Sequence, residues 1–167
     1  MYGKSVSNQR IEAWWAILGK DYTMWWIEFF KDMRNDEFFC DEDYIQVECL
    51  KFCFMNISRD DLQRAARLWN AQRIRPSRNV ESPCGWPNVL FFRPQLSNTR
   101  TFRTDVDLDE LELAEERCCY RTPDNGCCEE FVELAGIIMG ENNLQFPRTA
   151  EDAVTLYFNQ LEAMENI

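Results

Sequence analysis

Between residues 8 and 33 the chain carries Ile11, Trp15, Leu18, Tyr22, Trp25, Phe29 and Met33 at spacings of four and three. That is the period of an α-helix, and a strand cannot hold such a stripe on one face. The spacing predicts one long helix, or two in close succession, with Trp14, Trp26 and Phe30 widening the apolar stripe on its flanks. Ser5 or Ser7 can cap the start, accepting from backbone N–H groups that lack an intrahelical partner. Gly19 can loosen the middle, since an interior glycine costs about 1 kcal/mol relative to alanine. A face this rich in tryptophan and phenylalanine has to be covered, because burying one such ring is worth about 2–3 kcal/mol. Either the helices repack on one another, or a protein partner, a second copy of the chain included, covers the face.

Further helices follow. Residues 36–43 are acidic and irregular, a connection. Asp43 to Ile57 reads as a second helix, with Tyr44, Val47, Leu50, Phe54 and Ile57 on one side. A third is expected from Ser58, where Ser58 and Asp61 resemble a capping box, with Leu62, Ala65, Ala66 and Trp69 buried and Pro76 as its stop. Beyond Arg103, an acidic helix is expected over Leu108 to Tyr120, its aspartates at 105, 107 and 109 explained by helix N-terminal chemistry. A Pro-Asp-Asn-Gly turn at 123–126 leads to a helix through Phe131, Leu134, Ala135 and Ile138 that stops near Gly140. The last helix starts at Thr149, with Thr149 and Asp152 as a capping box, and buries Val154, Tyr157, Phe158 and Leu161.

Composition narrows the functional classes. There is no histidine, which excludes every Ser-His or Cys-His nucleophile arrangement and leaves acid–metal chemistry as the main catalytic class. No apolar run approaches the roughly 18–20 residues needed to span a bilayer, and no basic-then-apolar leader opens the sequence. An intracellular chain with no membrane partner is expected. The eight cysteines are then expected as free thiols. Cys49 and Cys53 read as helix core, and the vicinal pairs Cys118-Cys119 and Cys127-Cys128 lack the spacing of a zinc knuckle. The net charge of −11 is unevenly placed. Residues 1–104 hold 15 Lys+Arg against 13 Asp+Glu, and residues 105–167 hold 3 against 16. The C-terminal part is therefore acidic and would repel phosphate.

Glu12 lies about 100° around the helical wheel from Ile11, at the border of the apolar stripe. Ala16, Gly19 and Thr23 make that border low in relief. Two readings stay open there: an acid favoured in a first turn by the helix dipole, or a carboxylate set to reach a metal and a DNA strand. Residues 5–15, Ser-Val-Ser-Asn-Gln-Arg-Ile-Glu-Ala-Trp-Trp, resemble the segment that carries the third acidic residue of the integrase and transposase catalytic core, an RNase H-like fold. Residues 69–92 supply a second resemblance: the aromatic-Asn pair Trp69-Asn70, a basic turn from Arg73 to Arg78, then Gly85-Trp86-Pro87, in the order that closes such cores. Paired tryptophans after the glutamate also occur in divergent integrase-core proteins of animal genomes.

The resemblance implies a mainly α chain: the helical C-terminal portion of an α/β integrase core over residues 1–95, with an acidic helical extension over 96–167. It implies Glu12 as catalytic and metal-binding residue, and Arg73, Arg75 and Arg78, with Asn8 and Gln9, as nucleic-acid contacts. DNA is the implied partner and the nucleus the implied compartment. A complete core would use Mg or Mn. The two aspartates that join the glutamate in such cores should precede it, and nothing before Glu12 is acidic. This chain alone is therefore expected to be catalytically incomplete and to need no cofactor. The competing expectation is a non-catalytic helical protein-interaction module.

Overall fold

The first helical stretch is interrupted where its glycine lies. α1 (Gln9–Leu18) passes into a π-helical segment, Gly19–Thr23, and then into α2 (Met24–Asn35). Thr23 Oγ1 donates to the Leu18 and Gly19 carbonyls across this wider turn, both at 3.4 Å. The computed structural model describes residues 9–76, 84–98, 100–101, 104–118 and 125–166, the side chains of residues 9, 10 and 118 excepted. Ser5 and Ser7, offered as caps, lie outside them. Among the described residues the remaining elements are α3 (Tyr44–Ala71), α4 (Pro87–Phe92), a 3₁₀ turn (Pro94–Ser97), α5 (Leu108–Cys118), α6 (Glu129–Glu141) and α7 (Ala150–Glu165). The described chain is mainly α, as expected. It contains no strand, only the single antiparallel bridge between Ile74 and Gly85.

The π turn corrects the aromatic stripe. An extra residue in the ladder turns every following side chain by about 100°. After the insertion, Trp26 and Met33 face the core, while Trp25 stays 53% exposed. On the near side of it, Ile11 and Trp15 also remain exposed. Of the two ways to cover the aromatics, repacking accounts for the α2 face. Trp26 stacks on Phe30 at 5.7 Å, and Phe29 and Phe30 meet Phe54 of α3 at 5.6 and 5.3 Å.

A second correction concerns α3. Two helices were expected from Asp43 and Ser58, and one continuous helix is found. Asp43 caps it, accepting from the N–H groups of Ile45 and Gln46. Ser58 is no cap: its hydroxyl donates to the carbonyls of Phe54 and Met55, as serine does inside a helix. Asp61 instead accepts from Trp26 Nε1 at 3.2 Å. Leu62, expected inside, is exposed. The helix ends at Ala71, before Pro76, as Gln72 N–H closes onto the Trp69 carbonyl.

Two compact units form, Met1–Leu62 with Arg121–Ile167, and Gln63–Tyr120. In the first, α2, α3, α6 and α7 share one core of Trp26, Met33, Phe52, Phe54, Phe131, Ala135, Leu156 and Tyr157, with Cys49, Cys53 and Cys127 among them. Tyr157 Oη donates to the Phe38 carbonyl at 3.0 Å. α6 runs one residue past Gly140 and turns at Asn143, whose φ of 52° is left-handed, with Leu144 N–H on the Met139 carbonyl. α7 begins with the expected capping box between Thr149 and Asp152. Its buried side is Ala153, Leu156, Tyr157 and Gln160, so Phe158 is more exposed than its spacing suggested. In the second unit, α5 starts where Asp107 accepts from Asp109 N–H, the helix-end role expected of those aspartates. Residues 119 and 120, its expected end, lie outside the described residues.

Candidate nucleic-acid interface

The second unit turns the chain back on itself just after α3. Ile74 N–H donates to the Gly85 carbonyl at 2.7 Å, and Gly85 N–H returns a bond to the Ile74 carbonyl at 3.1 Å. Gly85 has φ of 138°, a backbone region that favours glycine, and a Cβ there would also meet the Leu90 side chain at 3.5 Å. Trp86 follows in an extended conformation as the N-cap of α4, and Pro87 fills the first helical position, where its fixed φ suits the helix. Thus the start of the basic stretch, at Arg73–Arg75, and the Gly-Trp-Pro segment, separate in sequence, are held side by side.

The bridge sets the functional side chains. Arg73 precedes Ile74, and its guanidinium carbon lies 5.3 Å from the centroid of the Trp86 ring, a cation–π contact. Arg75 follows Ile74 and is exposed. Arg78 lies outside the described residues. Trp86 is itself 47% exposed, so the stacked pair meets solvent. Sequence reasoning named Arg73 but not Trp86 as its partner. The spacing of the two offers no local period, and among the described residues the Ile74–Gly85 bridge brings them together.

Charge is segregated along this unit. Residues 63–104 hold eight arginines, no lysine and one acid, Glu81. Residues 105–116 then hold seven acids and no base, and the described side chains of α5 are exposed. A phosphate chain would be drawn to the first stretch and repelled by the second. Arginine suits that task, since its planar fork binds phosphate bidentately and still stacks on an aromatic face.

The remaining expected site residues lie in the other unit. Gln9 opens α1, and Glu12 is exposed in its first turn. Asn8 lies outside the described residues. A two-metal centre needs several carboxylates converging on ions about 4 Å apart. Among the described residues no three of His, Cys, Asp and Glu are grouped so as to hold a metal ion, Glu12 included. The donor set among the described residues does not fit the divalent metal that the resemblance implies. Cys127 and Cys128 form the entry to α6 instead, with Cys127 Sγ 3.4 Å from the Glu48 carbonyl. Cys119 and the Cys118 side chain lie outside the described residues. No described helix is long and apolar enough to cross a membrane.

No curated protein and no solved structure gave a match. The family model for the integrase core domain matches residues 1–104, a span that holds Glu12, Arg73 and Trp86. The chain belongs to the integrase core domain family.

Proposed function

We propose that this chain is a nucleic-acid-binding member of the integrase core family, and that it contacts DNA in the nucleus through the turn carrying Arg73, Arg75 and Arg78. One observation carries the reading: the Arg73 guanidinium is stacked on Trp86, 5.3 Å from its centroid, beside the hydrogen-bonded Ile74–Gly85 bridge. A guanidinium already ordered loses less freedom when it takes a phosphate. Seven further arginines within residues 63–104 add positive charge along the same stretch of sequence. Glu12 is given no strand-transfer step, because the described acids do not converge on a metal site. The test is a titration of a DNA duplex at several salt concentrations. Affinity should fall steeply with salt, and Arg75→Ala should weaken it and lower the salt slope by about one. Absence of salt-sensitive binding, or an Arg75→Ala variant that binds like the wild type, would refute the reading.

A second reading rests on a different observation. Trp15 and Trp25 keep more than half their surface in water, beside exposed Ile11, Met24 and Ile27. A helical protein-interaction module would use such a face. Concentration-dependent oligomerisation together with indifference to DNA at low salt would favour it.

A further inference from the structure

Phosphate binding accounts for the arginines of the second unit but not for its aromatics. Trp86 caps α4 with about half its ring in water, and Phe91 and Phe92 close the same short helix, each 66% exposed. The two phenylalanine rings meet edge to face at 5.0 Å, so each leaves a face uncovered by the other. Exposed rings of this size are a solubility cost unless they serve a ligand. Three within seven residues, with Arg73 stacked on the first and Arg93 next in sequence to the last, match the chemistry of one ligand class. An unpaired strand offers base faces for rings and phosphates for guanidinium groups, whereas a duplex buries its bases in the stack and offers the rings nothing. An acidic protein partner satisfies the arginines but must bring aromatic side chains of its own to the rings, whereas every nucleotide of a single strand carries both a phosphate and a π face.

We infer that Arg73, Trp86 and α4 bind unpaired nucleotides of a DNA strand, with Trp86, Phe91 and Phe92 as stacking platforms and Arg73, Arg75 and Arg93 on the phosphates. This rests on the nucleic-acid reading above and narrows it from DNA in general to its single-stranded form. Stacking tolerates any base, so the site has little sequence preference. Arg73, already stacked on Trp86, either keeps its place on one ring face while a base takes the other, or gives way to a base and moves to the adjoining phosphate.

The test compares four ligands by fluorescence anisotropy with the full chain at low salt: oligothymidylate of roughly 20 nucleotides, and an abasic deoxyribose-phosphate strand, a DNA duplex and an oligouridylate RNA, each of equal length. The thymidylate should bind about tenfold or more tighter than the abasic strand, since each stacked base is worth that much on average. It should also bind tighter than the duplex. Phe91→Ala should reduce the ratio of thymidylate to abasic affinity by about tenfold, with circular dichroism showing that the helices persist. Trp86→Ala should do the same, and it also releases Arg73, so Phe91→Ala is the cleaner comparison. Equal affinity for the thymidylate and abasic strands would overturn the inference, as would a ratio unchanged in both ring variants. Tighter binding of oligouridylate RNA than of thymidylate would overturn the assignment to DNA. If none of these ligands binds at low salt, the nucleic-acid reading itself has failed; if duplex and abasic strand bind as well as thymidylate, only the single-strand inference has.

Discussion

Glu48, 2% exposed within α3, accepts a 2.8 Å hydrogen bond from the backbone N–H of Cys128, eighty residues away at the start of α6. Its other carboxylate oxygen pairs with Lys51 at 2.7 Å. The carboxylate thus meets both the unpaired N–H at the N-terminus of one helix and a cation one turn along its own. Glu48→Ala should cost about 1–3 kcal/mol, the penalty for leaving a buried donor unsatisfied. Glu48→Gln keeps an acceptor for Cys128 and should cost less. Urea unfolding of the two variants checks the order, and equal losses would show that the ion pair, not the cap, matters.

Trp25 and Trp26 test which face of α2 is buried. They are adjacent in sequence, yet Trp26 is 8% exposed and donates to Asp61, while Trp25 lies on the outer face and stacks on Phe29. Trp26→Ala should cost about 3–5 kcal/mol through the cavity it leaves. Trp25→Ala should cost about 1 kcal/mol or less, the worth of an exposed aromatic pair. Equal losses on thermal melting would mean that the two rings share the core.

The same contrast shows where sequence reading succeeds. Ser58-Asp61 and Thr149-Asp152 have the same spacing, and only the second is a capping box. Pro147 breaks the chain before Thr149, so a helix has to start afresh there. Ser58 lies in an unbroken apolar period, and its partner is taken by a tryptophan thirty-five residues away. Helix content, Cys49 and Cys53 in the core and the last cap were legible because each depends on neighbours a turn away. The π insertion at Gly19 was half legible, as a weak point without its register consequence. In the candidate interface the arginines were legible as residue types. Their stacking on Trp86 was not, since it depends on the non-local Ile74–Gly85 bridge. Glu48 gave no signal at all, because a lone acid in an apolar helix declares itself only through a partner eighty residues on.

The α7 cap should make stability depend on acid pH. The N–H groups of Arg148 and Thr149 donate to the Asp152 carboxylate at 3.2 and 3.1 Å. The Arg148 N–H, with the Thr149 hydroxyl and N–H, holds its pKa below the ordinary 3.8. A carboxyl whose folded pKa is depressed stabilises the fold above the unfolded value and stops doing so as pH falls through the folded one. Asp152→Asn retains an acceptor but cannot titrate, so its melting temperature should fall less steeply than that of the wild type below pH 3.8. Thr149→Ala should cost about 1 kcal/mol at neutral pH, where the missing hydroxyl strips a cap from α7. Parallel acid limbs for wild type and Asp152→Asn would remove Asp152 from this account.

Cys127 should act at the other end of the pH range. Its thiol is 2% exposed and donates to the Glu48 carbonyl. Burial, with the Glu48 charge adding to it and Lys51 opposing, pushes its pKa from 9.0 up to about 12. A thiol raised in the folded state stabilises the fold fully below its unfolded pKa and loses that contribution as pH climbs through the folded value. Stability should therefore decline between pH 9.0 and about 12, and the decline should be shallower in Cys127→Ala. Alkylation gives an independent measure, since the thiolate is the reacting form. At mildly alkaline pH, iodoacetamide should modify exposed Cys40 in the native protein and reach Cys127 only after unfolding. Peptide mass mapping separates the two sites. Native-state modification of Cys127 at the rate of Cys40 would show that the junction between α3 and α6 opens far more readily than its buried hydrogen bonds allow.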